Sequence, residues 1–197
     1  MPAIHEFYER MLLEIAGRGG YEDRVIVTGE GNSDSPAVVF VGEAPGAEEE
    51  RLGRPFVGTA GRNLDGMLAE LGRARTDIFI TNLVKVRPVR TNPKTGRRCN
   101  RPPTRDETAF FAPYLFLELS MLAPKCVVTL GNHALAALTN NRNAVIGEMH
   151  GRLTRAGSLN LFPMYHPAAV IYNRRLRGVM EQDVLKLRHV LEELYEQ

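Results

Sequence analysis

Four side chains of this chain have the chemistry of a ligand pocket and stand where loops begin or turn. Glu43 and Asn82 each lie at the end of an apolar run. Phe56 stands in a loop between a proline and a glycine, and His166 is followed directly by a proline. A buried strand that leads into a rigid Gly/Pro loop is a common way to build a pocket. The identity of the ligand depends on what these side chains can bind together.

Each of the four side chains suits one part of a nucleobase and its sugar. An asparagine amide carries a donor and an acceptor on one plane, which suits a pyrimidine edge or another amide. A phenylalanine ring in a constrained loop can stack on a base, which contributes about 1–3 kcal/mol. A histidine can donate to an oxygen that gains negative charge as a bond breaks. A glutamate can orient water or stabilise a cationic sugar.

Each of these residues also has a plain structural interpretation. Asn82 at a strand end can be a turn or cap residue, and Phe56 can belong to the core. The His166-Pro167 pair can be a simple loop element, and Glu43 can cap the next helix or pair with an arginine. Only their convergence at one place in the fold favours a ligand site.

The elements that must position these residues alternate between strands and helices. Apolar runs at 37–42, 78–83, 126–131 and 159–165 predict four strands, and helical patterns separate the first three. This order predicts an α/β fold, with a parallel sheet covered on both faces and all strand ends at one edge. Ligands bind at that edge in open α/β sheets. The polar residues at that edge are Glu43, Asn82, and either His166 alone or both His133 and His166.

The remaining patterns predict further elements. Phe7, Met11, Leu12 and Ile15 indicate an N-terminal helix that ends within 17–20, and residues 25–27 suggest a short strand. Thr104 and Glu107 form a capping box for a second helix. Its buried face is predicted to carry Phe110, Tyr114, Leu117, Met121 and Leu122. A last helix is predicted over about 178–196.

Composition indicates one globular domain over residues 1–197, with an N-terminal helical extension of about 1–20. Apolar residues make up 44% and charged residues 24% of the chain. No apolar run approaches the ~18 residues of a membrane span, so no membrane contact is expected. The N-terminal segment lacks the pattern of an export signal, and two cysteines cannot form a disulfide framework. We therefore expect a reduced cytoplasmic protein.

Positive charge is concentrated in two loops although the net charge is only +2. Residues 85–105 contain eight basic side chains and no acidic one. A second basic cluster, Arg174, Arg175 and Arg177, follows the last predicted strand. Such clusters indicate a polyanion site, although the first could be a solvated loop. Beside the predicted pocket, they favour a base flipped out of nucleic acid.

Four motifs at these positions resemble the uracil-DNA glycosylase superfamily, and its family-four branch in particular. They are GEAPG at 42–46, GRPFVGTAG at 53–61, TNLVK at 81–85 and His166-Pro167. The likeness extends from about Gly29 to Leu194. It implies a three-layer α/β/α sandwich with a central four-stranded parallel sheet. It also implies a DNA repair enzyme, a monofunctional hydrolase that cuts the bond between uracil and deoxyribose.

The resemblance also implies a role for each matched residue. Phe56 would stack on the flipped uracil, Asn82 would read its polar edge, and Gly42 would line the same pocket. His166 would stabilise the uracil oxygen that becomes anionic. Glu43 and the Ala44 backbone would hold the attacking water, with assistance from Glu49. The predicted DNA contacts are Lys85, Arg87, Arg97, Arg98, Val170 as a wedge, and Arg174, Arg175 and Arg177.

The chain departs from the family-four pattern in two ways. Family-four enzymes usually hold an iron–sulfur cluster with four cysteines, whereas this chain has only Cys99 and Cys126. Val86 and Phe111 stand at two expected cysteine positions, so we predict apolar packing there, with no cofactor and no metal. The second departure is an insertion at 90–101 within a basic loop of about 88–104. Its charge favours DNA contact over a purely structural cover.

Two other functions remain open from the sequence. A non-catalytic module could bind uracil-containing or damaged nucleic acid on the same scaffold. The chain could also be a nucleoside hydrolase that acts on small molecules. This alternative fits poorly, because the basic loops would then have no polyanion to bind. The sequence favours the glycosylase. We expect it to be a monomer that acts on uracil-containing DNA and is found in the cytoplasm, at the nucleoid.

Overall fold

The computed structural model describes residues 2–17 and 20–196, with the side chains of residues 2 and 3 excepted. Its main sheet has six strands. In spatial order they are β1 (Glu30–Gly31), β3 (Phe79–Asn82), β2 (Val38–Gly42), β6 (Cys126–Leu130), β8 (Leu159–Met164) and β7 (Thr154–Ala156). A separate two-stranded ribbon pairs β4 (Val89–Thr91) with β5 (Arg98–Asn100).

The four inner strands are parallel, which confirms the predicted central sheet. The two edge strands, β1 and β7, are antiparallel to their neighbours and were not predicted. They have only two and three residues and no apolar run, so they lack the pattern that marks a strand. The strand predicted at 25–27 is wrong. Val27 is buried there, and its N–H donates to the Lys85 carbonyl at 2.7 Å without sheet pairing.

Helices cover both faces of the sheet. They are α1 (Pro2–Ala16), α2 (Ala47–Leu52), α3 (Thr59–Leu71), α4 (Arg105–Leu122), α5 (Asn132–Thr139), α6 (Ile146–Met149), α7 (Ala169–Tyr172) and α8 (Leu176–Glu196). None of the helices in the described part of the chain is long and apolar enough to cross a membrane. The predicted end of the first helix falls partly on residues 18 and 19, which lie outside the described residues.

Alternate residues of β2 enter two different cores, as the pleat of a strand requires. Val38 and Phe40 pack in one cluster with side chains of α3 and α8. Val39 and Val41 pack in the other, with side chains of α1, α4 and α5. A sheet buried on both faces gives the continuous apolar runs seen in the sequence. The three-layer α/β/α architecture is therefore confirmed.

The second helix shows one confirmed and one wrong prediction. Thr104 and Glu107 form the expected capping box at the start of α4. The buried face is displaced by about one residue, because Phe111, Leu115 and Leu119 are buried while Leu117 is 51% exposed. The fully buried Glu118 lies within this face. A carboxylate in the core hides the helical period from a hydrophobic pattern.

Candidate active site

A cleft of about 460 Å³ lies beside the carboxyl ends of β2 and β3, and Glu43, Phe56, Asn82 and His166 all line it. In the β2–β3 register, Gly42 lies opposite Asn82. The parallel strands thus bring together four residues that are far apart in sequence. Ala44 and Glu49 also line the cleft, as do residues of the inserted ribbon.

Phe56 is both a core residue and a wall of the cleft, so the two interpretations of it from the sequence are compatible. Its side chain is buried in the cluster against α3, and its ring centroid lies 5.9 Å from that of His166. The backbone adopts a left-handed φ of +52°. Arg75 stabilises this turn, because its Nη2 donates to the Phe56 carbonyl at 2.5 Å. A side chain at Gly42 would collide with the ring, since a Cβ there would lie 2.5 Å from Phe56 Cζ.

Asn82 presents an amide to the cleft that is available for a ligand. The residue is only 3% exposed. Among the described residues its side chain makes no hydrogen bond, and it lines the cleft. A ligand with matching donors and acceptors would satisfy this amide.

The surroundings of His166 favour a neutral imidazole with its proton on Nε2. Burial lowers the pKa of His166, although the charges of Glu43 and Glu49 oppose this shift. The N–H of Ala168 donates to Nδ1 at 3.2 Å, so Nδ1 acts as an acceptor. The proton of the neutral ring must then sit on Nε2, which makes that atom a donor. Asn63 of α3 fixes the loop by donating to the Pro167 carbonyl at 2.9 Å.

The side-chain partner of Glu43 is a histidine, not the helix cap or the arginine that the sequence suggested. Its Oε2 lies 2.7 Å from Nδ1 of His133, the second residue of α5. The Glu43 carbonyl accepts from the Val84 N–H at 3.0 Å, which fixes the loop after β2 to the loop after β3. The sequence placed His133 at the sheet edge but assigned it no role. Its position one residue into a helix after a strand is the signal that could have identified it.

Glu49 links the two loops that form the cleft wall. Its Oε1 accepts from the N–H groups of Val57 at 3.0 Å and Gly58 at 2.8 Å. Its Oε2 accepts from the N–H of Gly46 at 3.1 Å. These contacts make Glu49 a positioning residue for both loops, and the direct assistance to water inferred from the sequence stays a prediction.

The prediction that Lys85 contacts DNA is wrong, because its side chain is fully buried. The ammonium lies 2.8 Å from Oε2 of Glu118 and 2.6 Å from Oγ1 of Thr81. Burial lowers the pKa of Lys85, while Glu118 opposes the shift. Tyr8 of α1 also donates to Glu118. Lys85 therefore joins helices to the sheet from inside the protein.

The prediction for Arg87 is also wrong, since the residue is only 8% exposed. Its Nη1 lies 3.0 Å from Oε2 of Glu50, and its Nε donates to Oδ1 of Asn100 at 2.7 Å. These two contacts and its burial hold the guanidinium within the protein. Glu50 also binds Arg98 at 3.1 Å, so this carboxylate of α2 anchors the inserted ribbon. The insertion thereby forms part of the cleft wall, and its exposed Arg97 faces solvent.

Val170 is not the exposed apolar residue expected of a wedge. It packs partly buried against the core beside α3 and α8. The next two residues, Ile171 and Tyr172, are 50% and 89% exposed and line the cleft. Arg174, Arg175 and Arg177 follow them and are exposed, as a phosphate contact requires.

The residues present do not fit a four-thiolate cluster. The chain has only two cysteines, and burial raises the pKa of Cys126 in β6 to about 12, which keeps its thiol protonated. Across residues 2–17 and 20–196 there is no group of three or more side chains that could hold a metal ion. Val86 and Phe111 are buried in the same apolar cluster, and the Tyr21 ring packs edge-on against Phe111 at 5.4 Å.

Comparisons with known proteins agree with the motifs of the cleft. A family model described as the uracil DNA glycosylase superfamily matches residues 28–192. A type-4 uracil-DNA glycosylase of Saccharolobus solfataricus is 39% identical over 173 residues, which cover 84% of this chain and 76% of that protein. A type-4 uracil-DNA glycosylase of Thermotoga maritima is 36% identical over 166 residues, covering 83% of this chain and 81% of that protein.

A type-5 uracil-DNA glycosylase of Pyrobaculum aerophilum is 32% identical over 152 residues, which cover 69% of this chain and 63% of that protein. The region matched by the family model contains every residue that lines the cleft. A family match over residues 28–192, together with relatives of this identity and coverage, shows that the protein belongs to the uracil DNA glycosylase superfamily.

Proposed function

We propose that this protein hydrolyses the bond between uracil and deoxyribose in DNA, releasing uracil and leaving an abasic site. The observation that carries the proposal is the position of His166 in the cleft, where the N–H of Ala168 occupies Nδ1 and leaves Nε2 as the donor of a neutral ring. The Asn82 amide and the Phe56 ring line the same cleft. The type-4 relatives bear the name of this activity.

Recognition of uracil follows from three groups of the cleft. The Asn82 amide can donate to one polar atom of the pyrimidine and accept from its neighbour. Phe56 supplies a face for stacking, and the absence of a side chain at Gly42 keeps that face close to Asn82. The base must leave the duplex to reach this cleft, as in other enzymes that act on bases.

Stabilisation of the leaving uracil is the task of His166. As the glycosidic bond breaks, its electron pair moves onto uracil, and negative charge develops on the oxygen next to the bond. A donor aimed at such an oxygen contributes about 10²–10³-fold to a rate. The N–H of Ala168 keeps the acceptor on Nδ1 and so leaves the proton on Nε2.

Water addition to the sugar is assigned to the loop after β2. Glu43 is an acceptor for the attacking water and stabilises the positive charge that develops on the sugar. Ala44 has no acid side chain, so the loop backbone and Glu43 share this task. No lysine occurs among the described residues that line the cleft, so the proposal is monofunctional hydrolysis by water.

The DNA contacts are proposed on the exposed basic and apolar side chains around the cleft. Arg97, Arg98, Arg174, Arg175 and Arg177 would bind phosphates. Tyr172, which is 89% exposed, would fill the space left by the flipped base in place of Val170. Replacing Tyr172 with alanine should weaken binding to uracil-containing duplex at least fivefold. Tyr195→Ala, at the end of α8, is the matched control, and equal effects of the two variants would contradict the wedge.

We propose that the protein works without an iron–sulfur cluster. Such a cluster requires four thiolates, and the chain offers two cysteines, one of them buried in β6. The packing of Val86 and Phe111 supports this proposal. Iron analysis of the freshly purified protein tests it, and a stoichiometric iron content would refute it.

The remaining proposals concern organisation and place. Residues 1–197 are proposed to form one domain that acts as a monomer on the nucleoid in the cytoplasm. The sheet and both cores support a single folding unit. Sedimentation and fractionation with DNA test these proposals.

The decisive experiment uses a duplex with one U:G mismatch. Formation of abasic sites over time, lost in Asn82→Ala and His166→Ala but kept in the control His189→Ala, would support the enzyme. His189 is an exposed histidine of α8 outside the cleft. Tight binding without cleavage would support the non-catalytic module. Release of uracil from free deoxyuridine without preference for DNA would support a nucleoside hydrolase.

A further inference from the structure

The contact between Glu43 and His133 is a close contact at the cleft that the proposed reaction does not use. Nδ1 of His133 lies 2.7 Å from Oε2 of Glu43. The histidine itself does not belong to the described lining of the cleft, so it reaches Glu43 from outside it. Gly131, with a φ of +88°, turns the chain from β6 into α5 and sets His133 at this place.

We propose that His133 is a positioning residue that holds the Glu43 carboxylate in the orientation needed for the attacking water. This inference rests on the proposed function, because that function assigns the water to Glu43. A donor bound to Oε2 fixes the rotation of the carboxylate, which leaves Oε1 to accept from water. An ionised carboxylate can only accept, so Nδ1 of His133 must carry a hydrogen in both charge states of the ring.

The charge state of His133 then adjusts the strength of Glu43. With Nε2 also protonated, the ring places a positive charge beside the carboxylate. This charge weakens Glu43 as a base and offsets its attraction for the cationic sugar. Loss of the Nε2 proton removes the charge but keeps the bond, so the reaction should accelerate as pH rises through the pKa of His133. The hydrogen bond to Glu43 raises that pKa above its ordinary value, although partial burial opposes the shift.

Glu43 is the one charged group found to act on His133 among the described residues. Two further titratable groups are linked to this pair, His166 after β8 through Glu43, and Glu49 of α2 through His166. Glu43 and Glu49 both act on His166, whose pKa nevertheless lies below its ordinary value. His166 therefore stays neutral in the range where the raised pKa of His133 is crossed, and the two histidines can be separated by their pH dependence.

Two substitutions of His133 test the inference in single-turnover cleavage of the U:G duplex. His133→Ala removes the donor, and the rate should fall about tenfold, the value of a charge-assisted bond at a half-exposed site. His133→Asn retains an N–H near the place of Nδ1 but cannot titrate. It should restore most of the rate and abolish its rise with pH over the range where histidine titrates. A merely structural role would not produce this loss of the pH dependence.

The outcomes separate this inference from the proposed function. A wild-type protein that forms no abasic sites refutes the proposed function and the inference with it. An active wild type with an equally active His133→Ala, or with an unchanged pH rise in His133→Asn, refutes the inference alone. NMR titration of the ring adds a measurement without substrate. The pKa of His133 should fall in Glu43→Gln, and an unchanged titration would also overturn the inference.

Discussion

A substitution of Glu49 can show whether this residue takes part in the reaction or only positions the loops of the site. Its carboxylate accepts three backbone N–H bonds, at 2.8, 3.0 and 3.1 Å, and so joins the loop after β2 to the loop that carries Phe56. In Glu49→Gln the remaining oxygen can keep the bonds to Val57 and Gly58. The new NH₂ group would then face the N–H of Gly46, donor against donor.

The expected cost of Glu49→Gln follows from this mismatch. One N–H loses its partner, and two bonds lose the charge of their acceptor, so the free energy of unfolding should fall by about 2 kcal/mol. For a chain of this size, that corresponds to a drop in Tm of roughly 4–8 °C. The rate of uracil release should fall as well, because the Phe56 loop and the Glu43 loop lose their common anchor.

Thermal unfolding and single-turnover cleavage of the U:G duplex measure the two effects together. Glu48→Gln is the matched control, because Glu48 is the neighbouring carboxylate and pairs with the exposed Arg51. Its Tm should stay close to that of the wild type, because an exposed ion pair contributes little to stability. A Glu49→Gln protein with wild-type Tm and a large loss of rate would refute the positioning role and support a direct role in the reaction.

Three further predictions follow from the buried network, the histidine and the ribbon. Lys85→Met should lower the free energy of unfolding by about 3–5 kcal/mol, because the buried Glu118 carboxylate loses its cationic partner. Urea unfolding measures this, and an unchanged free energy of unfolding would contradict the burial of the pair. Because the pKa of His166 lies below its ordinary value of 6.5, this residue should make its full contribution to the stability of the folded protein above pH 6.5. That contribution should be lost as the pH falls through the lowered pKa. Ring NMR should show its neutral form persisting below pH 6.5, and protonation at or above that pH would contradict the assignment. Alanine at both Arg97 and Arg98 should reduce the slope of log affinity against log salt by about 1–2, and an unchanged slope would favour a structural ribbon.

The strands and the cleft were predictable because both depend on signals that are local in the sequence. A sheet buried on two faces produces short continuous apolar runs, and Val38–Gly42 and Cys126–Leu130 show them clearly. Parallel connections then force the strand ends to one edge. Glu43, Asn82 and His166 could therefore be gathered from their positions alone, and the fold places them in one cleft.

The basic residues after Asn82 were misjudged because charge in a sequence does not reveal burial. Lys85 and Arg87 belong to a run of eight basic side chains, yet both are inside the protein. Their partners, Glu118 and Glu50, lie 33 and 37 residues away in sequence. A pairing over that distance leaves no periodic signal. Glu118 also explains why the predicted buried face of α4 is wrong, because a charged residue in that face interrupts the apolar pattern.

The side chains that hold the residues proposed to react leave almost no pattern in the sequence. Arg75 fixes the Phe56 carbonyl, Asn63 fixes the Pro167 carbonyl, and His133 contacts Glu43. Each acts from a different helix or turn than the loop it holds, through one or two polar bonds. Catalysis by fixed donors depends on such contacts, because a group already in place costs no reorganisation when charge develops. Substitutions of these holders should therefore lower the rate of cleavage more than they lower the affinity for DNA.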